Sequence, residues 1–170
     1  MFHKIVVAVD GQEGERDATA LAHRLADRDA TFTTGHIAEG DDVADGLFLL
    51  ATDQRAELIV VGVHHHRRLW GADHTRATLR HAPCPVAVAP AGYANNGQAE
   101  IRAIGVGYHD HDPESDAALT AAQSLAAATG AEVHITHVVP ETNWDTPDSG
   151  AGRLAVAARE RLTGLEAVVT

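Results

Sequence analysis

The chain has 170 residues, 45% of them hydrophobic but only 4% aromatic, so its core must be filled by Ala, Val, Leu and Ile, and it is long enough for one large domain or two small ones. A formal net charge of -11 repels nucleic-acid backbones and argues against DNA or RNA as a partner. A single cysteine, Cys84, excludes an intrachain disulfide and fits a reducing cytoplasm, while the opening run MFHKIVVAVDG meets an aspartate too soon for a signal peptide or a membrane span.

Lys4–Val9, KIVVAV, is an unbroken β-branched run, the pattern of a strand buried on both faces. DGQEGE interrupts it. From Arg16 to Arg28 the apolar residues Ala18, Leu21, Ala22 and Leu25 form a helical stripe. ATFTTGHIAEG reads as a strand and a turn. Asp42–Arg55 reads as a second helix with Asp42 as N-cap and Val43, Leu47, Leu50 and Ala51 inward. Glu57–Val61 is a further buried strand, Thr75–Arg80 a short helix, and Pro85–Ala89 a fourth strand. Strands alternating with helices imply a doubly wound parallel sheet with right-handed crossovers, an α/β fold.

Residues 91–100, beginning AGYANNGQA, are small and polar without periodicity and read as a linker. The grammar then restarts. IRAIGVG is a strand, YHDHDPES a turn into a helix over about Glu114–Thr129, AEVHITHVV a strand, PETNWDTPDSG a polar loop, Ala151–Leu162 a helix, and LEAVVT a closing strand. KIVVAVDGQEGERDATALAHRLA and IRAIGVGYHDHDPESDAALTAAQSLA share one plan: a strand, an acidic turn, an acidic helix start and an Ala/Leu stripe. The expected organisation is a first repeat over 1–90, the linker, and a second, shorter repeat over 101–170.

KIVVAVDG near the start, AELIVVG followed by a loop, and TLRHAPCPVAVAP resemble the universal stress protein family, with LRHAPCPV the most specific match. IRAIGVGY, PES, AAQSLAAATGAEVHITHVV and LEAVVT resemble the first three strands of a second copy. The resemblance implies an adenine-nucleotide-alpha-hydrolase-like fold built from two incomplete repeats. The first would have four strands and the second three, against the usual five. The second would lack the half that bears the phosphate loop, leaving at most one nucleotide site per chain.

In the family the glycine after the fourth strand opens a G-x-x-G stretch, a loop of roughly nine residues, and a Gly-Ser or Gly-Thr pair at a helix start, where bare backbone and helix N–H groups meet phosphate. The resemblance assigns the nucleotide-facing positions here to Asp10, Gly62, His64, His65, Gly71, Ala72, Asp73 and Thr75. Asp10 matches the adenine-contacting aspartate and Gly62 the first glycine. His64 falls where a histidine is frequent. His65 replaces the second glycine, Ala72 and Asp73 fall on the Gly-Ser pair, and Gly71 lies one residue early. Asp73 would cap the helix itself and repel a polyphosphate, since like charges about 4 Å apart cost on the order of 1 kcal/mol in water and about 4 at an effective dielectric of 20. The expectation is therefore an eroded loop without a bound cofactor, with ATP or AMP binding as the alternative.

Three further groupings bear on chemistry. His64, His65 and His66 beside Arg67 and Arg68 read as a solvated loop, with a metal or a small anion as alternatives, because consecutive side chains diverge. His109 to Asp112 reads as an exposed turn in which Asp112 caps the helix begun by Pro113, with metal binding as the alternative. His134 and His137 fall on opposite faces of one strand. No serine sits in a glycine elbow, and no enzyme is expected. The family resemblance implies a homodimer joined along Pro85–Ala89, in the cytoplasm and without a membrane contact.

Overall fold

The computed structural model describes residues 1–9, 13–36, 43–63, 81–96, 100–109, 112–136 and 167–169. It divides into two compact units, Met1–Gln98 and Ala99–Thr170. Both carry parallel sheets flanked by helices, so the α/β class follows.

In the first unit β1 (Phe2–Val9) leads through α1 (Glu13–Leu25) to β2 (Ala26–His36), then through α2 (Val43–Gln54) to β3 (Leu58–Gly62) and on to β4 (Val86–Ala89). The sheet is parallel with order β2-β1-β3-β4. β1 and β3 are central, and the β-branched runs read from the sequence are buried: Ile5 to Val9 and Leu58 to Val61 are all at most 5% exposed. Their side chains alternate between two layers. Val6, Ala8, Ile59 and Val61 meet Leu47 and Ala51 of α2. The opposite face is covered by α1, which packs across β1, β3 and β4. Ala18, Ala22 and Leu25 of its stripe are buried.

The first helix starts and stops three residues earlier than its apolar pattern suggests, and β2 begins at Ala26 with no loop between. The cause lies across the sheet. Phe2 pairs with Ala26, after which the register slips so that Lys4 faces Thr31. His3 lies 3.2 Å from Asp29 and 3.9 Å from Asp27, and its backbone N–H donates to Glu57 at 2.7 Å. These contacts draw Ala26–Asp29, weak strand formers by themselves, into the edge of the sheet.

The span Ala91–Asn96, read as linker, instead belongs to the first unit. It makes a turn and a short 3-10 helix, Tyr93–Asn96, tied to α1 through buried Asp17.

In the second unit β5 (Ala103–Gly107), β6 (Glu132–Thr136) and β7 (Ala167–Val169) form a parallel sheet in that order. α3 (Pro113–Thr129) packs Leu119, Ala122 and Ala126 against Val106, Tyr108, Val133 and Ile135. Its ends are closed by local chemistry. Asp112 is the N-cap, accepting from the Glu114 and Ser115 amides, with Pro113 in the first turn. Gly130 takes the left-handed conformation at the other end, φ 73, and donates its N–H to the Ala126 carbonyl at 2.7 Å. Ser115 donates its hydroxyl to Asp112 at 2.7 Å and accepts the His109 N–H at 3.1 Å, so the turn after β5 is stitched to the helix start. Among the described residues no helix is long and apolar enough to cross a membrane.

The Ser115 hydroxyl, and after it the Ser115 and Glu114 amides, hold the Asp112 carboxyl below its ordinary value of 3.8. A lowered folded-state value adds stability above the unfolded value, lost as pH falls through the folded one. Asp112→Asn, which keeps a capping oxygen but drops the charge, is expected to lower the melting midpoint at neutral pH, with the gap from wild type closing below about pH 4. Thermal scans across pH check this; a gap that persists in acid refutes it.

Candidate functional site

From β1 the chain winds outward to β2 on one side, then returns to β3 on the other. The reversal of winding therefore falls between β1 and β3, and their carboxyl ends mark the crevice position at which open α/β sheets take ligands. Among the described residues the strand ends at this position are Val9, 3% exposed, and Gly62, followed by Val63. The ladder to β4 runs right to the rim, Val63 donating its N–H to the Ala89 carbonyl at 3.1 Å.

Of the positions assigned from the sequence, Gly62 is the one that falls within the described residues; Asp10, His64, His65, Gly71, Ala72, Asp73 and Thr75 lie outside them. Gly62 has a clear physical reason for being glycine. A Cβ there would overlap the Gly14 carbonyl oxygen and lie 2.6 Å from the Gly14 carbonyl carbon and 2.8 Å from its Cα. Backbone therefore packs on backbone, and the first turn of α1 rests on the end of β3. Sequence reading passed over Gly14, taking it as part of a turn. The available signal was its place just before a helical stripe, where glycine is costly unless something needs the space. This packing sets the helix start of α1 beside the crevice mouth.

Other flagged groups are less convergent. Among the described residues no set of three or more His, Cys, Asp and Glu side chains is placed to hold a metal ion. His134 Nε2 lies 3.4 Å from Glu132 on its own strand. The histidine run His64–His66, and also Asp110, His111 and His137, lie outside the described residues. Asp112 is engaged as a helix cap, as its place before Pro113 suggested. Cys84 is half-buried against the α2-side core, and that burial pushes its thiol up, with a lesser opposing pull from the Ile59 backbone, away from the reactive thiolate form.

Gly62→Ala is expected to cost about 1–3 kcal/mol, as overpacking does, because two backbones must separate. Gly105→Ala, where a Cβ would meet nothing within 4 Å, serves as the control and should stay within about 0.5 kcal/mol of wild type. Urea titration of both variants decides, and equal losses would refute the packing account of Gly62.

Comparison with known proteins places these observations. A family model described as the Universal stress protein family matches residues 33–90 and 100–167, one segment in each unit. No curated protein matches. Among solved structures, a universal stress protein from Archaeoglobus fulgidus DSM 4304 is similar with a TM-score of 0.62 at 13% sequence identity, the match covering 98% of this chain and 75% of that one. At that identity the likeness speaks for the fold, whereas the two matched segments together take in well over half of the sequence. The chain belongs to the universal stress protein family.

Proposed function

We propose that this family member serves stress response as a non-catalytic α/β scaffold that acts by binding, and that its nucleotide loop is eroded. What carries this reading is the loop's own sequence, since the packing of Gly62 on Gly14 accounts for that glycine with or without a phosphate. The loop has His65 in place of a glycine and Asp73 where a small hydroxyl residue is expected, both unfavourable to a polyphosphate. We place the protein in the cytoplasm, where a lone half-buried thiol stays reduced. Its expected partner is a second copy, joined along the edge strand β4, where Val88 is 36% exposed and the neighbouring Val63 45%.

A second reading, a working adenine-nucleotide site with an altered loop, draws support from α1. Its first turn sits against the end of β3, at the carboxyl end of the sheet where α/β folds take anions on helix starts. Calorimetric titration with ATP, AMP and cyclic AMP separates the two. The eroded loop gives no saturable heat; saturable micromolar binding of any one of them establishes the second reading and overturns the first. Zinc or nickel is expected to leave the melting midpoint unchanged, whereas a histidine metal site at a hundred times its dissociation constant would add about 2.7 kcal/mol. Sedimentation velocity at micromolar concentration is expected to show a dimer, and a monomer would refute the β4 interface.

A further inference from the structure

Away from the crevice, the first unit holds a buried carboxylate that takes no part in the candidate site. Asp17, on α1, is 4% exposed. Its two oxygens are used separately: Oδ2 accepts the Gly92 N–H and Oδ1 the Ala94 N–H, each at 2.7 Å, across 75 and 77 residues of sequence. The segment it grips, Ala91–Asn96, leaves β4 just before the second unit begins. That segment is half-buried against α1 over 91–94, and its own backbone bonds are few. Gly92 stands at φ 80, and the short 3-10 helix Tyr93–Asn96 has backbone bonds from Tyr93 to Pro90 at 3.1 Å and from Asn95 to Gly92 at 3.0 Å. Short 3-10 turns bond with poor geometry and do not stand alone. Bonds from amides to an ionised acceptor are short and about twice as strong as neutral ones. An asparagine would turn an NH2 toward one of the two amides, so the arrangement needs a carboxylate.

We propose that Asp17 is a latch that fastens the segment 91–96 as a strap on α1, so that its release frees those residues without unfolding the sheet. With the latch closed, the strap is part of the first unit. The latch lies outside the β1–β3 core, so opening it leaves the sheet intact.

Hydrogen exchange on the full chain tests this. In Asp17→Asn the Gly92 and Ala94 amides are expected to lose about tenfold or more of their protection while Val6 and Val60 in the central strands keep theirs. Chymotrypsin under native conditions should then cut after Tyr93, a bond it spares in wild type. Gly92→Ala is the second variant, opening the strap from its own side. It keeps the N–H donor and meets no atom within 4 Å, but forces a side chain into the left-handed conformation. It should reproduce the cleavage after Tyr93. Unchanged protection at Gly92 and Ala94 overturns the latch. So does a parallel loss at Val6 and Val60, which would make Asp17 a general stabiliser.

Discussion

Two neighbouring strands with no exposed face govern the first unit. β1 and β3 present apolar side chains both above and below the sheet, and neither layer of them tolerates water. One helix cannot cover two faces, so the chain must send α1 to one side and α2 to the other. With crossovers of fixed hand, reaching opposite faces means reversing the direction of winding at β1. The reversal falls between β1 and β3. The crevice is thus a geometric by-product of double-sided burial, present before any residue in it is chosen for a ligand.

The second unit meets a smaller demand. Its described strands run in one direction from β5 to β7, and α3 covers Val106, Val133 and Ile135 from one side. The start of α3 is already satisfied by Asp112 and Ser115. A helix whose leading amides are taken by its own carboxylate has little left to offer an anion. One family model matches both units, yet among the described residues their sheets differ, four strands against three, and the reversal of winding belongs to the four-stranded one.

Where information was local, the sequence was readable. KIVVAV and ELIVV announced buried strands because uninterrupted β-branched runs have few other homes, and Pro113 after Asp112 announced a capped helix start. Where information was distant, it was not. Ala26–Asp29 has helix-compatible composition and becomes strand because Phe2 and His3 lie alongside. Ala91–Asn96 has the composition of a linker, and it is a fixed turn because α1, with a carboxylate 75 residues earlier in the chain, holds it. Within the crevice the spacing located Gly62 at the right strand end but not its contact with Gly14, because a steric partner that is itself a glycine leaves no side-chain pattern to read.

The contact between those two glycines bears on how such motifs are interpreted. A residue can be held in place by two requirements at once, room for a neighbouring backbone and room for a ligand. When the ligand requirement lapses, the steric one still forbids replacement, and the letter in the sequence does not change. Glycine at the end of this strand is therefore a witness to how helix and sheet are fitted together. The testimony on nucleotides has to come from positions with no such second duty.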